Sequence, residues 1–296
     1  MSGMGGGWFD AMGGGWFDAM GGGWVDSAGG GGGGHGFAMR ADRPLAEHPL
    51  KNINVDGAFP PFHPRYWDCD LLALTYLPKF FTFTDGGKTW DQALVVADPP
   101  RVVRSGLPPD DSIDELLTMA VTERPEAMGE ILNQHQNQQL CFLQLLMINH
   151  NSHPATYFAM KLMARVGEVV MIHFKRKFNR ARPSQVCPTL YPPVAVPGHA
   201  SYPAGHAVIA TLTAACLKEI TKCPDAAPSP SAYEEALDLL AGAIGRNRVI
   251  AGLHYRSDIA AGAQLGNDTY AFLKQIPEYK EAIEAAKQEW ARPQVP

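Results

Sequence analysis

Between residues 111 and 291 apolar side chains recur at the three- and four-residue spacing of a helix, and this constrains the fold more than any other feature of the chain. Ile113, Leu116, Leu117 and Ala120 open the pattern, and Ser112 stands where an N-cap belongs. Further helical runs are predicted over 125–147, 154–180, 206–222, 231–249, 257–274 and 277–291. Convincing strands are few after residue 110. The expectation is an all-α fold, a helical bundle of about seven helices with an irregular N-terminal region.

Three stretches divide the chain. Residues 1–39 carry an eight-residue repeat (GGGWFDAM, GGGWFDAM, GGGWVDSA) and a polyglycine run. One aromatic pair per repeat cannot repay the entropy of ordering so much glycine, so a flexible tail is expected. Residues 40–110 are rich in proline and aromatics and read as an irregular segment packed on the core. Phe80-Phe81-Thr82-Phe83-Thr84, followed by Asp85-Gly86-Gly87, suggests a hairpin there. Gly87-Lys88-Thr89 is not a phosphate loop, because Thr82 stands where that motif needs its first glycine. Residues 111–296 then form the helical domain.

Composition excludes several classes. The 296 residues carry a formal net charge of −5, so no global field draws the chain to nucleic acid. No apolar run is long enough for a membrane span. With no recognisable signal peptide at the start, a soluble, cytoplasmic protein is expected. Five cysteines without a C-x-x-C pair read as free thiols. His150 and His153 lack a third ligand nearby and read as a solvated pair at a helix boundary.

An acidic chain that binds an anion must do so with a local cluster, and three segments offer one. Lys175 and Arg182 are seven residues apart, which on a continuous helix puts both on one face, with Pro183 ending that helix. A guanidinium fork and an ammonium could grip a small oxyanion there, although five cations in eight residues more often make a solvated face. Ala204, Gly205 and His206 lie at the start of the next helix, where backbone N–H groups and the helix dipole attract an anion. His206 can move a proton near neutral pH. Arg248, His254 and Asp258 form the third segment. The four-residue spacing lets Asp258 accept from one ring nitrogen of His254 and raise the basicity of the other.

Taken in order, Lys175 to Pro183, Pro203-Ala204-Gly205-His206 and Asn247-Arg248 with His254 and Asp258 resemble the K-x6-R-P, P-S-G-H and S-R-x5-H-x3-D signature of the type-2 phosphatidic acid phosphatase and vanadium-dependent haloperoxidase superfamily. The resemblance implies that Lys175, Arg182, Arg248 and the Gly205 amide hold the equatorial oxygens of vanadate or phosphate. His206 would be the general acid/base, and Asp258 would orient His254. His254 itself would be the axial ligand to the metal in a haloperoxidase, or the nucleophile in a phosphatase. Ala204 departs from the family serine and removes a hydroxyl donor. The lost hydrogen bond is worth about 1.5–3 kcal/mol, or roughly ten- to hundredfold in affinity. Asn247 replaces a second serine.

His199 stands seven residues before His206, where the bromoperoxidases of the family resemble this chain in having histidine. The resemblance thus points first to a vanadate-dependent haloperoxidase that oxidises bromide or iodide rather than chloride with hydrogen peroxide. The alternative is a soluble acid phosphatase acting on a phosphomonoester through phospho-His254. A degenerate anion-binding protein is the third reading. Sequence leaves open the organic substrate and the oligomeric state, a homo-oligomer included.

Overall fold

The computed structural model describes residue 62 and residues 66–222 and 232–291. The repeat tail, the polyglycine run, Cys223 and the start of the helix predicted at 231 lie outside the described residues. The described residues from Cys69 onward group as one compact unit, and Phe62, Tyr66 and Trp67 belong to a second. Of the latter, Phe62 meets the rings of Tyr66 and Trp67 edge-on.

The described chain is all-α, with seven long helices where helical periodicity predicts them. These are α4 (Ile113–Thr122), α5 (Arg124–Leu146), α6 (Pro154–Phe178), α8 (Gly205–Ile220), α9 (Ala232–Ile250), α10 (Arg256–Leu273) and α11 (Pro277–Ala291). Short helices α1 (Cys69–Leu74), α2 (Leu77–Thr82), α3 (Trp90–Ala93) and α7 (Pro183–Val186) join them. The described β-structure is a pair of two-residue parallel strands, β1 (Val102–Val103) and β2 (Asp111–Ser112), and an isolated bridge. Ser112 caps α4 by accepting from the Glu115 amide at 3.3 Å.

The predicted strand at Phe80–Thr84 is corrected. Residues 77–82 are helix α2, with Pro78 in its first turn, because this places Phe80 fully inside against Trp90 and Phe272. Only the turn survives, as the Asp85–Lys88 bridge around Gly86 and Gly87, both at positive φ.

Helix α8 runs through the centre, packed on α6, α9 and α10. Leu162, Val166 and Val170 of α6 share a cluster with Val208 and Leu212 of α8 and Leu265 of α10. The α8–α10 approach is close enough that a Cβ on Gly266 would lie 2.7 Å from the Val208 carbonyl oxygen, and one on Gly262 would lie 2.6 Å from that of Ala204. These two glycines set the distance between the helix bearing His206 and the helix bearing Asp258. Helix α5 is broken at Asn137 (φ −155°, ψ 89°), whose side-chain oxygen accepts from the Gln139 amide and restarts the helix.

Among the described residues no helix is long and apolar enough to cross a membrane. Cys141, Cys187 and Cys216 are free thiols. His153 precedes the first turn of α6 and lies against Trp290, and among the described residues no cluster suited to a metal ion is present.

Replacing Gly266 with alanine drives a methyl into backbone that cannot move without separating α8 from α10. The expected destabilisation is about 1–3 kcal/mol, read as a lowered urea midpoint with an unchanged slope. A midpoint equal to wild type would contradict this packing.

Candidate active site

The first segment reaches the site by a different route from the one its spacing suggests. Helix α6 ends at Phe178, and Asn179 closes it in the left-handed conformation (φ 48°). Residues 180–182 leave the helix, and Pro183 begins α7 rather than ending α6. Lys175 therefore projects from the last turn of α6, while Arg182 lies beyond the reversal. The two do not share a helix face, but the turn folds Arg182 back towards Lys175.

The solvated-face expectation fails for the cations that matter. Lys175 is 2% exposed and Arg182 1%, whereas Arg176 and Lys177 face solvent. Lys175 Nζ donates to the carbonyls of Ala200 and Ser201, both at 2.8 Å. Arg182 donates through Nε to the His199 carbonyl at 2.8 Å and through Nη1 to the Leu253 carbonyl at 3.0 Å. These bonds lock the second segment, residues 199–206, and the third, around His254, onto the first.

Ala204 is the N-cap of α8, fully buried and with no side-chain cap. Its amide donates to the Asp258 carbonyl at 2.9 Å. Gly205 begins the helix, and a Cβ there would lie 2.5 Å from Met171 Sδ, so a larger residue would require the Met171 side chain to move. His206 follows, its ring hydrogen-bonded to the Gln134 backbone near the break in α5.

In the third segment α9 ends at Ile250, Gly252 turns at φ +76°, and α10 starts at Arg256. His254 Nδ1 lies 3.1 Å from Asp258 Oδ2. The carboxylate can only accept, so Nδ1 carries the proton and Nε2 keeps its lone pair. Arg182 Nη1 stands 3.4 Å from that Nε2. Asp258 Oδ2 also accepts from the Ser201 hydroxyl and from the Tyr255 amide at 3.0 Å. Its Oδ1 pairs with Arg180 at 2.7 Å.

Arg248 is fully buried, with Nη2 donating to the Ile131 carbonyl at 3.0 Å. Its Nε and Nη1 are buried without a hydrogen-bond partner among the described residues. Donors left unsatisfied in this way are costly unless something accepts from them. An oxyanion fits that requirement, and vanadate and phosphate meet it equally. Asn247, in place of the second family serine, donates to Glu130 at 2.8 Å and Gln134 at 3.0 Å. Gln134 Oε1 in turn lies 3.5 Å from Arg248 Nη2.

His199 is half-buried, with Nδ1 3.1 Å from Arg182 Nη2. A guanidinium only donates, so Nδ1 accepts and the ring proton is on Nε2. A cleft of about 640 Å³ is lined by Asn179, Arg182, Gln185, Val196, Pro197 and His199. Arg182 and His199 belong to both cleft and cation cluster, so the cleft leads to the anion position.

Burial shifts the cations of the cluster towards their neutral forms. Burial, aided by Arg182, holds Lys175 well below the usual lysine range. Burial pushes Arg182 and Arg248 down to about 10. His254 falls to about 3 through burial, with Asp258 opposing the shift and Arg182 and Lys175 adding to it. Burial, Lys175 and Arg182 bring His199 to about 3 as well. Burial and Arg248 hold His206 well below the ordinary histidine value. Burial raises Asp258, but the hydrogen bond from His254 and the charge of Arg180 outweigh it and leave the carboxyl at about 2.

The structure links Lys175, Arg182, His199, Ala204, His254 and Asp258 by hydrogen bonds, brings His206 and Arg248 to Gln134, and places Gly205 between Ala204 and His206 at the start of α8. Sequence reasoning missed Arg180, Ser201, Asp111 and Gln134. Arg180 stood inside the basic run but outside the spacing that drew attention. Ser201 precedes Ala204 by three residues, and its hydroxyl serves Asp258, so it does not replace the missing family serine.

Residues 156–281 match the family model of the PAP2 superfamily. The chain is also similar to two non-specific acid phosphatases. The one from Providencia stuartii is 32% identical over 92 residues, covering 31% of this chain and 34% of that protein. The one from Salmonella typhimurium is 33% identical over 89 residues, 30% and 32% of the two chains. The chain therefore spans about a third of the length of these curated relatives.

The depressed histidines determine how stability responds to acid. A folded pKa of about 3 for His254, against about 6.5 unfolded, means that only the unfolded chain takes up that proton between those values. Stability is therefore complete above pH 6.5 and is lost as pH falls towards 3. At pH 5 the loss attributable to His254 is about 2 kcal/mol. Urea unfolding at pH 7.5 and 5.0 is expected to show the drop, and His254→Gln is expected to shrink it by about that amount. An equal drop in the two proteins would contradict the burial of a neutral His254.

Proposed function

We propose that the chain is a phosphomonoesterase in which His254 is the nucleophile. The observation that carries this reading is the state of His254: Nδ1 is committed to Asp258 at 3.1 Å, and the unprotonated Nε2 takes only a long hydrogen bond from Arg182 Nη1 at 3.4 Å, with the charge of Lys175 also acting on the ring. That arrangement presents an activated nitrogen to phosphorus and a positive shell to the equatorial oxygens. The similarity to acid phosphatases supports the same reaction.

In the first half-reaction His254 Nε2 forms a bond to phosphorus while the ester P–O bond breaks, and His206 donates a proton to the departing oxygen. In the second, water attacks phosphorus as His206 takes its proton, and the N–P bond breaks to release phosphate. His206 must be protonated for the first half, although burial and Arg248 disfavour its charge in the free site. A bound phosphate dianion supplies the countercharge that restores its proton affinity. The cleft beside Arg182 and His199 gives the leaving group room.

The second reading is a vanadate-dependent haloperoxidase, favoured by His199 on the Arg182 guanidinium. Lys175, Arg182, Arg248 and Gly205 would hold orthovanadate, and His254 would ligate it. Bound there, vanadate supplies activation of hydrogen peroxide towards a halide. Ala204, buried and without a hydroxyl, offers either anion one donor fewer.

Hydrolysis of p-nitrophenyl phosphate by the full chain separates these readings when run beside bromination of a dione with peroxide and orthovanadate. The expected result is hydrolysis inhibited by orthovanadate, with His254→Ala lowering kcat by about 10³-fold or more. Vanadate-dependent bromination without hydrolysis would overturn the phosphatase in favour of the haloperoxidase. Absence of both activities would leave an anion-binding protein.

A further inference from the structure

Arg180 is the best-connected side chain near the site that the mechanism does not use. It follows the left-handed turn at Asn179, its carbonyl accepts from the Ser201 amide at 2.9 Å, and its side chain is 7% exposed. Nη1 donates to Asp258 Oδ1 and to Ser257 Oγ, both at 2.7 Å. Nη2 donates to Asp111 Oδ2 at 2.7 Å and to the Pro100 carbonyl at 3.1 Å. The guanidinium also lies 4.3 Å from the centre of the Tyr255 ring. Asp111 itself takes the Ser257 amide at 3.1 Å and the Ser257 hydroxyl.

This makes a continuous chain, Asp111–Arg180–Asp258–His254, with alternating charge and hardly any solvent. Its far end lies upstream of residues 156–281, the span of the family match. Oδ2 of Asp258 serves His254, Ser201 and the Tyr255 amide, and Oδ1 is fixed by Arg180. A carboxylate held on one oxygen can swing about its last bond, but one gripped on both cannot. We propose that Arg180 is a positioning residue: it holds Asp258 in the orientation that fixes the His254 tautomer, and through Asp111 it makes the Pro100–Asp111 segment part of the catalytic apparatus. The inference rests on His254 being the reactive imidazole.

A fork is needed for this task. Nη1 and Nη2 go to different carboxylates, and a lysine can bring only one ammonium to the pair. Arg180→Lys is therefore expected to restore part of what Arg180→Met loses. Because Arg180→Met leaves two buried carboxylates without a counter-charge and could fail to fold, Asp111→Asn serves as the second variant. It removes the outer anchor alone.

Two readouts are required. The first is kcat against KM for an aryl phosphate. Arg180→Met is expected to lower kcat by about 10- to 100-fold with KM within about threefold of wild type, as for other residues that orient a reactive group through a neighbour. Arg180→Lys should fall between, and Asp111→Asn should lose several-fold in kcat alone. The second readout is long-range 1H–15N NMR of histidine-labelled protein, which reports the His254 tautomer without any turnover. Wild type is expected to show Nδ1–H only, Arg180→Met a mixture, and Arg180→Lys a return towards wild type.

A folded Arg180→Met with wild-type kcat and a single tautomer would overturn the proposal. So would a rise in KM at constant kcat, or an Asp111→Asn variant with unchanged kcat. If the wild-type chain hydrolyses no phosphomonoester, the phosphatase reading fails and the NMR comparison alone decides the role of Arg180.

Discussion

The site depends on one carboxylate. Asp258 is fully buried and receives a group from each of the three segments that build the centre. Arg180 comes from the first, the Ser201 hydroxyl from the second, and His254 Nδ1 with the Tyr255 amide from the third. Its own backbone carbonyl accepts the Ala204 amide, which pins the start of α8. An ionised carboxylate in such surroundings is tolerable only because four donors and the first turn of α10 surround it. Protonating or removing the carboxylate would release the His254 tautomer and the Ser201 hydroxyl together.

Around that anchor the protein concentrates positive charge that it does not neutralise itself. Lys175, Arg182 and Arg248 are each nearly inaccessible, and each is shifted towards its uncharged form mainly by burial. The structural cost would be offset by an oxyanion, because one ligand would satisfy the free donors of Arg248 and the repulsion among the cations at once. A local cluster of this kind is how a chain of net charge −5 would take up an anion.

Much of this was legible in the sequence, for identifiable reasons. The seven long helices follow from apolar periodicity, which burial on one face enforces and which survives in the residues themselves. His254 and Asp258 meet because a four-residue spacing at the first turn of a helix leaves little freedom. Lys175 and Arg182 were placed together for the wrong reason, since nothing in their spacing shows that Asn179 turns the chain before Arg182. Phe80–Thr84 looked like a strand because local preference cannot reveal that Phe80 fills a gap beside Phe272, far along the chain. Arg180 and Asp111 were invisible for the same reason: their partners are set by tertiary packing, and a buried arginine in a basic run looks like its exposed neighbours.

The central claim is that His254 Nε2 is the atom that takes the phosphoryl group. Rapid mixing with a phosphomonoester, quenching in alkali to preserve phosphohistidine, and peptide mass spectrometry test it directly. The account predicts a transient phosphoryl group on the peptide carrying His254 and on no other histidine peptide. A phosphoryl group on His206 or His199 would contradict it, and so would turnover with no phosphorylated histidine at all.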